Sequence, residues 1–424
     1  MTNRRNFLKS ALAGSAALAA SSAMALPTDR PVKFDETYDV IVVGAGGSGL
    51  AAAAHAAEKG LKVLILEKMA FPGGSSAICG GGSLVVGTDL QKKAGEKDSN
   101  ELLFKDIIET GGGLNNQDVV HAFVDNHLSV YDWFMGLGVK LQSDLLFASV
   151  SANRGVEIEP NSVLKACLDH AKKHGAKLLV STQARRLAYD QKTKRIVGVF
   201  AEKDGKTVSF GAKKGVILAS GGFARNKDLL AKYVPRMAKT LTICGKGCDG
   251  DGLKMALAYG ADVVDMPYIK ATFAFNTDPH SINDSHYTYW EGGIVVNKAG
   301  KRFVDESIPK KDVGDHVLEQ EGGIGYCLYD EPTRRISLKT ARNNGSVLES
   351  EERGLVFKGN TIEEVARKAG LDPDVVKDTV ERYNRDVREK GFDTEFGRKF
   401  LAGNLGALRE ISTPPFYILP STAV

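Results

Sequence analysis

Cysteine is scarce in this 424-residue chain: Cys79, Cys167, Cys244, Cys248 and Cys327 are an odd, widely scattered set. Such a pattern implies no disulfide framework. None of the five stands in a CxxCH, which excludes covalently attached haem. Cys244 and Cys248 are the pair close enough in sequence to bridge in an oxidising compartment, although buried free thiols are the expectation. Charge of one sign is also lacking. The formal net charge is only +4, and Arg4, Arg5 and Lys9 supply three of those charges, which argues against nucleic acid as a partner. No apolar run is long enough to span a bilayer. The best candidate, Ala11 to Ala25, is diluted by Ser and Gly and falls short of the roughly 20 apolar residues a spanning helix needs, so no permanent membrane anchor is expected.

What remains is an ordinary globular composition on a chain long enough for two domains with real cores. Its first segment is a separate matter. Arg4 and Arg5, followed by Phe7, Leu8, Lys9, an Ala-rich run and Ala23-Met24-Ala25, read as a twin-arginine signal peptide over residues 1–26. That reading predicts export of a folded protein to the periplasm.

The next segment, "YDVIVVGAGGSGLAAAAHAAEKGLKVLILEK", predicts a buried parallel strand at Asp39 to Val43, a helix at Leu50 to Lys59 and a second strand at Lys62 to Leu66. Between the first strand and the helix, Gly44, Gly46 and Gly49 spell GxGxxG. The first glycine permits the tight turn, the second lets backbone approach a pyrophosphate, and the third lets helix and strand pack closely. Phosphates would then meet the helix N-terminus, where N–H groups and the macrodipole favour anions. Glu67 follows the second strand, eighteen residues after Gly49, where it can accept hydrogen bonds from ribose hydroxyls. NAD and FAD both satisfy this half of the pattern.

A second glycine-rich loop, "MAFPGGSSAICGGGS" at residues 69–83, follows directly. With it the chain resembles the flavoprotein subunits of fumarate reductase, succinate dehydrogenase and the soluble flavocytochrome c reductases. Gly73, Gly74, Ser75 and Ser76 are similar to that family's GGNT-like stretch, with Ser for Asn and Thr. "VILASGGFARN" resembles its ATGGF turn, "CDGDGLKMALAYGADVVDM" its TGDG-helix segment, and "GGIVVNKAGKRFVDES" its GKRFxNE stretch. The resemblance implies FAD, held by Gly44, Gly46, Gly49, Glu67, Lys68, Gly73, Gly74, Ser75, Ser76, Gly81, Gly82, Ala184, Ala219, Gly221 and Asp251, and no metal. "GKGCDG", at Gly245, Gly247 and Gly250, also spells GxGxxG, but its preceding strand would be only "TLTIC", so a separate nicotinamide site is not expected.

The fold implied is α/β, a Rossmann-like FAD-binding domain at 27–268 with an inserted α+β capping domain at 269–412, then a segment at 413–424 that starts back toward the FAD domain. An adenine-side strand is expected near Lys177 to Gln183, and helices in "VVHAFVDNHLSVYDWFMGLG" and "DPDVVKDTVERYNRDVREKG". In the family the cap closes over the flavin, hydride passes from flavin N5 to one carbon of an activated C=C bond, and a general acid protonates its neighbour. Here the sequence departs from the fumarate pattern. Thr272 stands where fumarate reductases carry His; "SHYTYWEG" brings His286 and Tyr289 to the proton-relay stretch; Lys310 or Lys311 stands near the position of the Arg acid.

Lys310 is therefore read either as proton donor or as a solvated loop lysine. His286 is a relay acid or a hydrogen-bonded loop histidine, and Tyr287, Tyr289 and Trp290 either stack on an aromatic acceptor or fill the cap core. Arg302 and Glu306 read as structural charges. The expected activity is reduction of an enoate or enone, fed by a separate cytochrome or quinol-linked donor. The rivals are a dehydrogenase of the ketosteroid type and a non-catalytic flavin-binding remnant. Relatives continue past the point matching Val424 through a His and GG-containing turn, a strand and a stretch with flavin contacts and a substrate-binding Arg, so the sequence is expected to be a C-terminally truncated fragment.

Overall fold

Val40, Ile41, Val42 and Val43 are β-branched and buried, and they lie in the first strand of the structure, β1 (Glu36–Val43). The structure is a computed structural model that describes residues 33–144, 146–269, 271–279, 284–339, 344–402 and 406–424. The signal reading at 1–26 lies outside the described residues. Contacts divide the chain into two units. One gathers the described part of Met1–Pro72 with Cys167–Ser220 and Lys254–Tyr259; the other gathers Gly73–Ala166, Gly221–Leu253 and Gly260–Val424.

In the first unit β1 runs into helix α1 (Gly47–Glu58) and then β2 (Val63–Leu66), all four of whose residues are buried. The remaining strands are β3 (Lys177–Leu179), β4 (Thr182–Asp190), β5 (Arg195–Lys203) and β6 (Lys206–Leu218). They complete a six-stranded sheet in the order β3-β2-β1-β6-β5-β4. β3, β2, β1 and β6 pair in parallel, whereas β4, β5 and β6 form an antiparallel meander. The thirteen-residue β6 joins the two parts: Lys206–Gly211 pair with β5, and Phe210–Leu218 pair with β1.

The single strand expected near Lys177 to Gln183 is in fact two. The chain breaks at Val180 and Ser181, where Ser181 takes φ +47°, and β3 and β4 then lie on opposite edges of the sheet order. Ser181 and Thr182 N–H donate to Met69 and Glu67 carbonyls at 2.9 and 2.8 Å, so the residues after β2 pair with the start of β4.

The second unit holds a five-stranded sheet of β7 (Phe273–Asn276), β8 (Ile294–Val296), β9 (Ile324–Asp330), β10 (Phe357–Gly359) and β11 (Phe416–Ala423). Its order is β7-β11-β9-β8, with β10 also on β11. β11 is central: Phe416–Thr422 pair with β9 on one edge, while β10 and β7 share the other. Gly82–Leu84, Phe147–Ser149 and Ala152–Glu157 form a separate three-stranded antiparallel sheet.

Three helices of this unit matter below: α2 (Gln117–Gly136), α3 (Lys310–Leu318) and α4 (Pro373–Lys390). Asp372 caps α4 by accepting from the Asp374 and Val375 N–H groups, and Gly391 ends it at φ +74°. Val376, Val380 and Tyr383 recur at helical spacing and pack with Ile294, Leu328 and Ile418 of the sheet. Among the described residues, no helix is long and apolar enough to cross a membrane.

Candidate functional site

The dinucleotide turn lies in the first unit. Gly44 takes φ +107°, and a Cβ there would stand 2.4 Å from the Ala219 carbonyl oxygen. Only glycine fits. A Cβ on Gly49 would stand 2.0 Å from the Gly44 carbonyl oxygen, so the absence of a side chain lets α1 pack against the turn. Gly46 is the N-cap of α1 and supplies no capping side chain. Glu67 is buried, and its Oε2 accepts from Ala45 N–H at 2.9 Å while Oε1 accepts from Met69 N–H at 2.8 Å. The carboxylate thus ties the end of β2 to the glycine turn, and each oxygen keeps a lone pair for a ribose hydroxyl. Lys68 is half-buried beside it. Ala219 N–H donates to Val43 O at 2.8 Å, fixing the end of β6 over the turn. Ala184 pairs with Ala201 and lies in the sheet core. A turn that excludes side chains, an uncapped helix N-terminus and a buried acid together fit a dinucleotide cofactor.

The second glycine loop lies in the other unit. Gly73 takes φ +131° and is followed by a single 3-10 turn, Gly74–Ile78. The Ser75 hydroxyl accepts from Gly245 N–H at 3.0 Å, so the loop meets the "GKGCDG" segment. That segment has no strand before it, and Gly250 N–H donates to Gly222 O at 3.0 Å, placing Gly221, Gly222 and Asp251 side by side. Gly81 takes φ +75° and its carbonyl accepts from Ile158 N–H at 2.9 Å; Gly82 begins the small sheet. The hydroxyl of Ser76 stands on the same 3-10 turn.

The four catalytic candidates also lie in the second unit. Thr272 pairs with Val424 through two backbone bonds, 2.9 and 3.1 Å. His286 is fully buried, its Nε2 lies 2.7 Å from Ser350 Oγ, and burial pushes its pKa down to about 4. At neutral pH it is an uncharged imidazole. Tyr289 is also fully buried and packs on Phe273 with ring centroids 5.4 Å apart; burial holds its hydroxyl well above the usual tyrosine range. Tyr287 and Trp290 lie tilted against each other with ring centroids 4.6 Å apart; Tyr287 and Tyr289 join the buried cluster around Val295 and Leu419, and the partly buried Trp290 packs against it. They pack as core aromatics. Lys310 opens α3 with its Nζ 5.3 Å from the Tyr287 ring centroid, a cation–π distance, whereas Lys311 faces Asp315 at 3.4 Å and Asp312 at 3.7 Å.

A buried charge cluster beneath these residues was only half visible in the sequence. Arg302 and Glu306 pair as expected, but Asp393 and Arg398 join them from more than eighty residues away. Arg398 donates to the Tyr289 carbonyl at 2.8 Å and the Gly293 carbonyl at 3.0 Å, fixing the backbone that carries the aromatic cluster. No local signal marks Arg398, because an isolated arginine is normally a surface residue.

The family described as "FAD binding domain" matches residues 39–405. The chain belongs to this FAD-binding family. FAD is its cofactor, and the fold is the mixed α/β fold of the fumarate reductase flavoproteins. The urocanate reductase of Eggerthella lenta is 33% identical over 404 residues, covering 92% of this chain and 64% of that protein. The cytochrome-type fumarate reductase of Shewanella frigidimarina is 29% identical over 369 residues, covering 86% of this chain and 63% of that protein. The chain thus spans less than two thirds of these two curated relatives. Among solved structures, the open conformation of a flavocytochrome c3 fumarate reductase matches with a TM-score of 0.76 and 25% identity, covering all of this chain and 70% of that one.

Proposed function

We propose that this protein is an FAD-dependent reductase of an activated C=C bond in an organic acceptor, an enoate or enone. One observation carries the reading: over about nine tenths of its length the chain is alike to reductases named for fumarate and urocanate, both acids whose C=C bond is conjugated to a carboxylate. When bound, FAD supplies the hydride equivalent. Gly44, Gly46 and Gly49 hold the pyrophosphate on the α1 N-terminus, and Glu67 orients the ribose. Gly73, Gly74, Ser75, Ser76, Gly81, Gly82, Gly221 and Asp251 are read as further cofactor contacts.

The chain's own contribution to the reaction is a proton. Lys310 is the residue we assign to it. Its ammonium, aligned on the face of Tyr287, carries a proton at Nζ that can pass to the acceptor carbon. Neutral His286 orients through Ser350, and Thr272 lines the acceptor side. The domain reading of a flavin domain at 27–268, a cap at 269–412 and a returning segment at 413–424 belongs to the same proposal. So do twin-arginine export to the periplasm and a separate cytochrome or quinol-linked electron donor.

The test is anaerobic. The chain, loaded with FAD and photoreduced, is mixed in turn with fumarate, urocanate, acrylate and simple enones while flavin absorbance is followed. Reoxidation by at least one conjugated acceptor, well above the buffer rate, is the expected result. Turnover only with an oxidising dye and a saturated ketone would instead make the protein a desaturating dehydrogenase. Bound flavin that no acceptor reoxidises faster than buffer would make it a flavin-binding protein without this activity.

A further inference from the structure

Strands β10, β11 and β9 of the second unit carry a row of large side chains on one face of their sheet. Lys358, Tyr417 and Tyr329 are direct cross-strand partners, so all three project to the same side. Tyr329 and Tyr417 stack with ring centroids 5.2 Å apart, and the Lys358 Nζ stands 5.7 Å from the Tyr417 centroid. Two helices, Glu331–Ser337 and Asn344–Glu352, bring Arg334 and Glu351 to this row, with the Arg334 guanidinium carbon 5.6 Å from the same ring. Here the fold leaves a cavity of about 420 Å³, whose walls include Val356, Pro414 and Pro415. Small-molecule sites span roughly 300–1,000 Å³, so a compact ligand fits. None of the residues read above as flavin contacts lines it, nor do Thr272, His286, Tyr289 or Lys310.

The charges around the cavity do not cancel. Arg334, Arg335 and Lys358 stand against Glu331 and Glu351, three cations to two carboxylates. Both carboxylates are already engaged. Glu351 accepts from Arg334 Nε and Nη2 at 2.5 and 2.6 Å, and Glu331 accepts from Arg335 Nε at 2.9 Å and from the Tyr417 hydroxyl at 2.7 Å. Lys358 is the cation left over: among the described residues no carboxylate pairs with its ammonium, which meets only the Tyr417 ring. Arg334 is held in place by the Glu351 fork, yet its Nη1 lies 3.8 Å from Glu331 Oε2, beyond hydrogen-bond length, and keeps its donor capacity.

We propose that this cavity is a binding site for a small aryl carboxylate, a flat monoanion of the benzoate kind. Its carboxylate accepts from Lys358 Nζ and Arg334 Nη1, and its ring rests on Val356, Pro414 and Pro415. One negative charge balances the one unmatched positive charge. A cationic ligand meets Lys358 unopposed. Phosphate or sulfate would turn oxygens toward the valine and proline walls, where no donor replaces lost water, so an apolar body behind a single carboxylate is favoured. The flavin takes no part, and the site does not rest on the C=C reductase reading.

The test titrates the FAD-loaded chain with para-fluorobenzoate, followed by fluorine NMR and by flavin absorbance. Saturable binding at one site per chain is expected, with the flavin spectrum unchanged. Para-fluorobenzamide, which has the same shape and no charge, should bind far more weakly. Lys358→Ala should weaken benzoate binding roughly tenfold, the size of a hydrogen bond to a charged group, and Lys358→Arg should restore most of it. Lys358 is exposed, so the denaturation midpoint of both variants should match that of the parent chain. No saturable binding, equal binding of the benzamide, or undiminished affinity in Lys358→Ala overturns the proposal. A shifted flavin spectrum with affinity kept in Lys358→Ala also overturns it, by placing the acid at the flavin.

Discussion

Arg302 grips Glu306 through two parallel hydrogen bonds, Nε to Oε1 at 2.9 Å and Nη2 to Oε2 at 2.6 Å, with both side chains withdrawn from solvent. Arg398 adds a contact to Oε2 at 3.2 Å, and Val295 N–H donates to Oε1 at 3.0 Å. Burial pushes the Glu306 carboxyl up, but the charges of Arg302 and Arg398 outweigh it and hold the carboxyl below the usual range. Replacing Glu306 by Gln leaves two buried guanidinium groups with only Asp393 opposite. The expected loss of stability is roughly 3–5 kcal/mol, because removing one partner of a buried pair leaves a desolvated charge. A denaturant midpoint close to that of the parent chain would show that the cluster is not structural.

His286 gives a pH signature. Its pKa is about 4 in the folded chain against an ordinary 6.5, lowered by burial first and by Arg353 in smaller part, with Asp284 opposing. The unfolded chain then binds the proton more tightly than the folded one. This contribution to stability is complete above pH 6.5 and falls away as pH drops toward 4, by a total of about 3 kcal/mol. Comparing chemical denaturation at pH 7 and pH 5 should show the loss in the parent chain and a smaller one in His286→Gln. Equal losses in both would mean that the imidazole titrates normally.

Cofactor retention separates two glycines of one turn. Gly46 sits at φ −81° and ψ −174°, a backbone conformation open to any residue, so Gly46→Val should fold yet lose bound FAD because a side chain blocks backbone approach to the pyrophosphate. Gly44→Ala should lose FAD and also stability, since the added Cβ meets Ala219 and the φ of +107° is strained. The readouts are flavin per chain after desalting and the denaturation midpoint. Full flavin content in Gly46→Val would remove the turn from the cofactor site.

Lysine chemistry should divide equally sharply. Lys310→Met is expected to lower acceptor turnover by roughly 10²-fold, the usual size of a general-acid contribution, with the flavin spectrum unchanged. Lys311→Met should have little effect, because Lys311 is half-exposed and engaged with Asp312 and Asp315. Undiminished turnover in Lys310→Met would return Lys310 to the surface of α3.

The β1–α1–β2 unit was legible in the sequence, because strand, turn and helix are decided by residues within about thirty positions. β-branched residues fill the strand, glycine alone tolerates Gly44's backbone, and an alanine-rich stretch winds the helix. The helices α2 and α4 were visible for the same reason, in the apolar spacing of each segment. The four buried partners Arg302, Glu306, Asp393 and Arg398 were not. Nor were the break of the expected adenine-side strand at Ser181 or the central place of β11 in its sheet. Sequence records what a residue can do locally. It does not record which distant backbone arrives beside that residue, and that arrival decides whether an arginine is solvated or paired.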